Sequence, residues 1–210
     1  MTRPRVLLAD DHPLTLEGLR AFLAPHADIV GTVMDGRALV DQALHLKPDL
    51  IILDIAMPLL NGIDAATQIK KGWPEVKLLF VTMHVNPAYL EAALNAGGTG
   101  YVVKSAAREE LLDAIKNVMM GKIFVTPSLS RDEFARFSSP SRAAATLHLS
   151  GREREILQLI AEGKASKEIA FHLAISIKTV AFHRENIKRK LGLRTTAELT
   201  KHAIEQGLVS

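Results

Sequence analysis

The chain contains no cysteine among its 210 residues. A disulfide, a thiol nucleophile and a cysteine-ligated zinc or iron–sulfur site are therefore excluded. Aromatic residues are scarce as well, at 5% of the sequence. Proteins that bind single-stranded nucleic acid stack bases on surface aromatic side chains, so this scarcity disfavours an RNA-binding function.

Long apolar runs are also missing. Leu50–Leu53 is typical of the pure runs, whereas a membrane span needs roughly 18–20 apolar residues. The amino-terminal segment reaches Asp10 and Asp11 after too few apolar residues for a secretory signal. With 48% apolar and 23% charged residues, the composition is that of a globular protein. The length of 210 residues predicts one or two domains. We expect it in the cytoplasm.

Charge is unevenly distributed along the chain. Residues 1–130 hold 12 basic and 14 acidic side chains, whereas residues 131–210 hold 14 and 9. Chance variation in surface charge gives such an asymmetry too. The alternative is a chain with two tasks, whose basic part faces a polyanion.

The first 120 residues alternate short β-rich apolar runs with segments of helical periodicity. We expect strands at residues 6–9, 29–33, 50–53, 78–81 and 100–103. Five β/α repeats predict an α/β domain with a doubly wound parallel sheet covered on both faces. In such sheets the functional crevice lies beyond the carboxyl ends of the strands.

Five polar side chains follow the predicted strand ends: Asp10, Asp11, Asp54, Thr82 and Lys104. Each alone could be a structural residue such as a helix cap, but all five together predict a functional pocket. Clustered carboxylates repel one another and need a cation, and carboxylates without cysteine favour Mg²⁺. The neighbouring His12 is expected to be a loop or helix-start residue. A carboxylate held on Mg²⁺ beside a lysine is placed to attack a phosphoryl group and become an acyl phosphate.

The second half of the chain has a different pattern. Residues 122–146 lack a sustained strand pattern and are interpreted as a linker. From residue 149 the pattern is helical, and Ser150 with Glu153 and Thr195 with Glu198 form capping boxes that begin the first and last of four helices. Two short helices separated by residues 174–176 fit a helix-turn-helix, although a generic four-helix bundle gives the same pattern.

The third of these helices is strongly basic. Residues 178–194 hold six basic side chains and one acid. Phosphate attraction supplies most of the non-specific affinity for DNA, so we expect this stretch to contact a duplex; a solvated charge run is the alternative. Val180, Ile187 and Leu191 share the inward face, and His183 on the same stripe is expected to be partly buried.

The motifs of both halves resemble one known family. Asp10-Asp11, residues 54–62, Thr82 and residues 100–104 resemble the receiver domain of two-component response regulators. Residues 149–157, 166–170 and 179–192 resemble the LuxR-type helix-turn-helix. Together they are similar to the NarL/FixJ subfamily.

The resemblance implies a (βα)5 flavodoxin-like receiver over residues 1–121, a linker over 122–146 and a smaller all-α helix-turn-helix domain over 147–210. It implies that Asp54 is the phosphoacceptor and that Lys104 contacts the phosphoryl group, with Thr82 and Tyr101 as the switch pair. The alternative for Tyr101 is a half-buried strand aromatic. The implied Mg²⁺ ligands are Asp11, Asp54 and the backbone carbonyl of Ala56, and Asp10 supports the metal directly or through water.

The resemblance also implies partners. They are double-stranded DNA at promoters, a cognate sensor histidine kinase and, after phosphorylation, a second copy of the chain. Phosphorylation is expected to promote dimerisation, to free the recognition helix from the receiver, or both. The final helix, with Leu199, Ala203 and Ile204, is either a dimer surface or part of its own core.

For the third helix, the resemblance brings residues 181, 182 and 185 to base edges. A lysine is frequent in the family where this chain has Ala181, which removes one guanine contact. Ala181 and Phe182 are instead suited to thymine methyl groups, and Glu185 to a cytosine amino group. Four further residues are assigned to phosphates, and a fifth shares the exposed face. The four are Lys178, Thr179, Arg184 and Lys188, and the fifth is Arg189.

Two other functions stay open. An aspartate-phosphate phosphatase carries a second Asp two residues after the nucleophile, where this chain has Ala56, so the chain is expected not to be an enzyme. A regulator that binds DNA constitutively could keep the receiver as a dimerisation platform. Such a platform has no need of all five polar side chains of the pocket.

Overall fold

The computed structural model describes residues 3–106, 108–129 and 149–209. They form an α/β unit followed by a helical unit, so the predicted fold class is confirmed. The strands are β1 Arg5–Ala9, β2 Asp28–Val33, β3 Leu50–Leu53, β4 Lys77–Thr82, β5 Gly100–Val103 and β6 Phe124–Val125. The helices of the α/β unit are α1 Pro13–Leu23, α2 Gly36–Leu46, α3 Gly62–Gly72, α4 Pro87–Asn95 and α5 Arg108–Met119.

The strands pair in parallel in the order β2-β1-β3-β4-β5-β6. Strand β6 was not expected, since the sequence predicts five strands and a linker from residue 122. Phe124 pairs with Gly100 and Val125 with Tyr101, and a two-residue strand is too short to show alternation. A short 3-10 helix, Pro127–Leu129, follows. Residues 130–146 of the predicted linker lie outside the described residues, and its boundaries stay a prediction.

Both faces of the sheet are covered, which is why its central strands read as continuous apolar runs. All four residues of β3 are buried. On one face, Leu7 and Phe80 pack with α2, α3 and α4. On the other, Leu8 and Val102 pack with α1 and α5.

The register brings the carboxyl ends of the strands together. Ala9 pairs with Leu53, which pairs with Phe80, and Thr82 pairs with Val103. The residues that follow these positions therefore meet at one edge of the sheet, as the sequence predicts.

The helical unit contains α6 Gly151–Ala161, α7 Ser166–His172, α8 Ile177–Leu191 and α9 Thr196–Glu205 within residues 149–209. Both predicted capping boxes form, at the starts of α6 and α9. Gly192 ends α8 in the left-handed region, at φ 67°. Ile156, Val180, Ile187 and Leu199 are fully buried in one core shared by the helices.

Among the helices of the described ranges, none combines the length and the apolar character needed to cross a membrane.

Candidate functional site

Lys104 joins two buried carboxylates at the carboxyl edge of the sheet. Its Nζ lies 2.7 Å from Asp10 Oδ2 and 2.6 Å from Asp54 Oδ2. Asp10 is 2% exposed and Asp54 5% exposed. Burial by itself lowers the pKa of Lys104, but the hydrogen bonds to Asp10 and Asp54 and the charges of both acids raise it above its ordinary value. The lysine therefore keeps its charge and neutralises part of the acidic cluster.

Asp11 completes the cluster on the loop that follows β1. Its Oδ1 atom is buried and makes no hydrogen bond within the described residues, although His12 Nδ1 lies 2.7 Å away. His12 is the N-cap residue of α1, as its predicted helix-start role requires, and its N–H donates to Asp10 Oδ1 at 3.0 Å. One ligand atom each of Asp10, Asp11 and His12 lies within 4.8 Å of the others. An unsatisfied carboxylate oxygen among other carboxylates suits a hard divalent cation.

The loop after Asp54 is tightly folded. The Ile55 N–H donates to Asp54 Oδ1 at 2.6 Å, and the Gly62 N–H donates to the Ile55 carbonyl at 2.8 Å. A Cβ atom at Gly62 would overlap the backbone carbonyl oxygen of Asp54. The close return of the chain at Gly62 thus fixes the loop that contains Ala56.

Thr82 and Tyr101 are both fully buried, and both form a hydrogen bond with the same third residue, His84. The Tyr101 hydroxyl donates to the His84 carbonyl at 3.0 Å, and the His84 N–H donates to Thr82 Oγ1 at 3.4 Å. Burial raises the pKa of Tyr101, and the nearby Tyr89 and Asp54 raise it further. Sequence reasoning missed His84, because a histidine in a loop gives no signal of its contacts.

The outer face of α8 is open to solvent. Lys178, Ala181, Phe182, Glu185 and Arg189 are exposed, with Phe182 at 64%. The opposite face is buried at Val180 and Ile187, and His183 between them is half-buried. The predicted inward and outward faces of this helix are both confirmed by the burial.

Several basic residues of α8 also hold the helical unit together. Arg184 donates to Ser166 Oγ at 3.3 Å and to Thr196 Oγ1 at 2.9 Å, which ties α8 to α7 and α9. Lys190 pairs with Glu153 of α6 at 2.7 Å. Although burial raises the pKa of Glu153, the hydrogen bonds from Lys190 and Ser150 hold it below its usual range. These contacts were not foreseen from the charge count.

One lysine and one glutamate of α8 form an ion pair with each other. Lys188 Nζ lies 2.9 Å from Glu185 Oε1, and the Glu185 side chain is 73% exposed. On α9, Leu199 and Ala203 are buried in the core of the unit, whereas Ile204 is 55% exposed. Of the two interpretations left open for α9, its own core therefore accounts for Leu199 and Ala203.

Comparison with known families matches both units. Residues 6–116 match the response regulator receiver domain, and residues 147–203 match the luxR family of bacterial regulatory proteins. The chain is a DNA-binding two-component response regulator. The predicted family is thereby confirmed, and it is a family of transcription regulators rather than enzymes.

This response regulator has relatives that match it over nearly its full length. The transcriptional regulatory protein MctR of Rhizobium johnstonii is 35% identical, with 98% of this chain and 95% of MctR covered. The oxygen regulatory protein NreC of Staphylococcus aureus is 36% identical, with 98% and 99% covered. Among solved structures, the RcsB response regulator of Salmonella typhimurium is 31% identical with a TM-score of 0.69, over 98% of this chain and 99% of RcsB.

The receiver of this response regulator touches the helical unit through α6. Arg154 Nε lies 3.1 Å from both carboxylate oxygens of Asp64 on α3, and Arg154 Nη2 lies 2.5 Å from Asp64 Oδ1. Beside this pair, Gln68 Nε2 donates to Glu155 Oε1 at 2.8 Å. Helix α6 is thus buried on two sides, with apolar residues toward its own core and polar residues toward the receiver.

Gln158 and Glu162 of α6 hold the loop that follows the predicted phosphoacceptor. Gln158 is fully buried; its Nε2 donates to the Met57 carbonyl at 2.7 Å, and its Oε1 accepts from the Asn61 N–H at 2.8 Å. Glu162 Oε1 accepts from the Leu59 N–H at 2.9 Å. The loop between Asp54 and Gly62 is therefore in direct contact with the DNA-binding unit, which the sequence did not indicate.

Proposed function

We propose that this response regulator is switched by phosphorylation of Asp54 by a cognate sensor histidine kinase, and that it then controls transcription from promoter DNA. The observation that supports this most strongly is the position of Lys104, 2.6 Å from Asp54 and 2.7 Å from Asp10 in a buried pocket. A purely structural sheet edge has no need of two buried carboxylates that share one ammonium group, since burying charges is costly.

In the proposed reaction, an Asp54 carboxylate oxygen attacks the phosphorus atom of a phosphohistidine. The new O–P bond forms as the P–N bond to the donor histidine breaks, and the product is an acyl phosphate. Lys104 transfers its contact from the carboxylate to a phosphoryl oxygen and offsets the added negative charge.

The oxygen donors around the pocket suit Mg²⁺. We assign its ligands to Asp10, Asp11, Asp54 and the backbone carbonyl of Ala56. The unsatisfied Asp11 Oδ1 fits this set. Bound there, Mg²⁺ supplies further neutralisation of the phosphoryl oxygens.

Thr82 and Tyr101 form the proposed switch. The Thr82 hydroxyl is buried at the end of β4, next to the pocket, and has a hydrogen to donate to a phosphoryl oxygen. The Tyr101 hydroxyl already contacts the loop that follows Thr82, through His84. A turn of Thr82 toward the phosphoryl group therefore reaches the environment of Tyr101.

Helix α8 is the proposed recognition helix. Its exposed residues Ala181, Phe182 and Glu185 are assigned to base edges in the major groove. Lys178, Thr179, Arg184 and Lys188 are assigned to phosphates, and Arg189 lies on the same face. One helix reads few base pairs, so a dimer on half-sites about 10 base pairs apart is the proposed DNA-bound form. RcsB, which is similar over its whole length, has been solved as dimers bound to DNA.

The exposure of α8 bears on how phosphorylation acts. Lys178, Phe182 and Arg189 are exposed while α6 is docked on the receiver, so these side chains need no uncovering. Of the two expected routes, we therefore propose promotion of dimerisation rather than release of a covered recognition helix.

Phosphoryl uptake tests the proposal directly. The full chain is incubated with Mg²⁺ and acetyl phosphate, and the phosphoryl group is located by mass spectrometry. In the unmodified chain we expect one phosphoryl group, on Asp54. The control variant Asp113→Asn, which removes an exposed carboxylate, should take up the same group. The variant Asp54→Asn should take up none. Association state and binding to a selected DNA site are measured alongside. No uptake together with unchanged DNA binding would make the chain a constitutive regulator.

A further inference from the structure

The loop between Asp54 and α3 contains a residue in an unfavourable backbone conformation. Leu59 has φ of 64°, in the left-handed region that favours glycine. Its side chain packs against the apolar core of the DNA-binding unit, and its N–H donates to Glu162 Oε1 of that unit at 2.9 Å. A residue in such a conformation persists only where surrounding contacts hold it. The shape of this loop is therefore maintained partly from outside the receiver.

Gln158 of α6 uses its whole amide group at this loop. It is fully buried, and its Nε2 donates to the Met57 carbonyl at 2.7 Å and to Glu162 Oε1 at 2.9 Å. Its Oε1 accepts from the Asn61 N–H at 2.8 Å. An amide group donates only through its nitrogen and accepts only through its oxygen, so these partners leave it one orientation. Gln158 therefore holds two backbone groups of the loop at a fixed separation.

The backbone on both sides of the Ala56 carbonyl is held in place. The Ile55 carbonyl accepts from the Gly62 N–H at 2.8 Å, and the Met57 carbonyl accepts from Gln158. Because the Ala56 carbonyl lies between these two fixed groups, its direction is restricted. Mg²⁺ demands near-ideal octahedral geometry of its ligands. Loss of a residue that orients a metal ligand without binding the metal typically costs about 10–100-fold in metal affinity.

We propose that Gln158 is a positioning residue of the phosphorylation site. From the DNA-binding unit it holds the loop after Asp54 in the shape that presents the Ala56 carbonyl to Mg²⁺. This inference rests on the proposed function, because it takes Asp54 as the phosphoacceptor and Ala56 as a ligand of the metal. Coupling between two binding equilibria is reciprocal, so Mg²⁺ in turn strengthens the hold of Gln158 on the loop.

Other contacts also join the two units. Arg154 of α6 pairs with Asp64 of α3. Beyond α9, Gly207 lies against the ring of His84, where a Cβ atom on the glycine would be 2.6 Å from His84 Cε1. Neither contact uses the Gln158 amide. Loss of the Gln158 bonds alone should therefore leave the units docked, and a change in Mg²⁺ binding then reports on the loop.

Calorimetric titration of the full chain with Mg²⁺, without a phosphoryl donor, tests the positioning role. Gln158→Met fills nearly the same space but has no amide group. We expect its affinity for Mg²⁺ to be about 10-fold lower. Gln68→Met is the matched control, since Gln68 is a second glutamine between the units but donates to Glu155 of α6 rather than to the loop. Gln68→Met should bind Mg²⁺ as tightly as the unmodified chain.

Phosphoryl uptake from acetyl phosphate separates positioning from loss of the fold. Gln158→Met should need about 10-fold more Mg²⁺ for half-maximal rate and should reach the unmodified rate at saturating Mg²⁺. Small-angle scattering should show the radius of gyration of the unmodified chain.

Two results would overturn the positioning role. One is an unchanged Mg²⁺ affinity in Gln158→Met, and the other is an equal loss of affinity in Gln68→Met. If the unmodified chain still takes up a phosphoryl group on Asp54, the proposed function stands in both cases. An unmodified chain that neither binds Mg²⁺ nor takes up a phosphoryl group overturns both proposals.

Amide hydrogen exchange of the unmodified chain needs no variant. The Asn61 N–H must separate from Gln158 Oε1 before it exchanges. With about 10-fold weaker Mg²⁺ binding in the separated form, saturating Mg²⁺ should slow exchange of this amide about 10-fold. The Thr179 N–H, which donates to Ser176 Oγ at the start of α8, is the control and should exchange equally with and without Mg²⁺. An Asn61 amide that Mg²⁺ slows no more than that of Thr179 would contradict the positioning role.

Discussion

Arg154 and Asp64 form a two-pronged ion pair that joins the DNA-binding unit to the receiver. The Arg154 Nε atom lies 3.1 Å from both oxygens of an Asp64 side chain that is 5% exposed. Asn61 Nδ2 also donates to Asp64 Oδ2, at 2.8 Å. The pair therefore shares Asp64 with Asn61, which lies in the loop that follows the proposed phosphoacceptor.

Removal of Arg154 should weaken docking. Arg154→Ala leaves the buried Asp64 carboxylate with Asn61 as its remaining side-chain donor, and a lost hydrogen bond to a charged group costs about 1.5–3 kcal/mol. Small-angle scattering of the full chain should show a larger radius of gyration. The exchanged pair, Arg154→Asp with Asp64→Arg, should recover part of the compact form. If Arg154→Ala scatters like the unmodified chain, the pair does not hold the units together.

Gly62→Ala should disrupt the pocket. The added Cβ atom would overlap the Asp54 carbonyl oxygen, so the backbone of the loop must shift. We expect lower stability in urea and a loss of phosphoryl uptake from acetyl phosphate. Gly18→Ala is the control, because Gly18 lies inside α1 with open space at its Cβ position. Alanine there should raise stability by about 0.5–1 kcal/mol. Equal stabilities for the two variants would contradict the close approach.

The stability of the chain should fall in mild acid partly because of His84. Burial lowers the pKa of His84, Lys104 lowers it further and Asp54 acts in the opposite direction. With the folded pKa below the unfolded value of about 6.5, the unfolded chain binds the proton first. The contribution of His84 to the free energy of unfolding is therefore lost as the pH falls from about 6.5 through the pKa of the folded state.

The variant His84→Gln should flatten that part of the pH profile, as measured by urea denaturation between neutral pH and pH of about 5. His26→Gln, which removes an exposed histidine, should keep the slope. A slope that His26→Gln reduces as much as His84→Gln would assign the effect to other groups.

Lys188→Ala should reduce the salt dependence of DNA binding. One phosphate contact fewer lowers the slope of log affinity against log salt by about one unit. Lys201→Ala, on α9 rather than on the proposed recognition helix, should leave the slope unchanged. Fluorescence anisotropy with a labelled duplex over a salt series measures both. Glu185 forms an ion pair with Lys188, so the variant Glu185→Ala is measured in the same salt series.

Glu185→Ala should change which DNA sequences are preferred, because Glu185 is assigned to a base edge, and it should leave the salt slope unchanged.

The pocket was predictable because its residues stand at a fixed place in a local sequence pattern. Asp10, Asp54 and Lys104 each follow an apolar run, and parallel strands place their carboxyl ends at one edge. The two faces of α8 were predictable for a similar reason, since helical periodicity separates Val180 and Ile187 from Phe182. Strand β6 was missed because two residues show no period.

The contacts between the two units were not predictable. Arg154 and Gln158 lie among polar residues on α6, where polar residues normally face solvent, yet both are held by residues of the receiver. His84 and Gly207 are far apart in the chain, and neither belongs to a recognisable motif.

The sequence by itself determined which side chains gather at the end of the sheet and which face of α8 is basic. Both follow from strand order and helical period, which are local properties of the chain. Only the tertiary structure decided which residues of the DNA-binding unit contact the receiver near that pocket. Bonds such as Gln158 to Met57 and the seating of Gly207 on His84 depend on how two separately folded units meet, and no local pattern encodes that meeting.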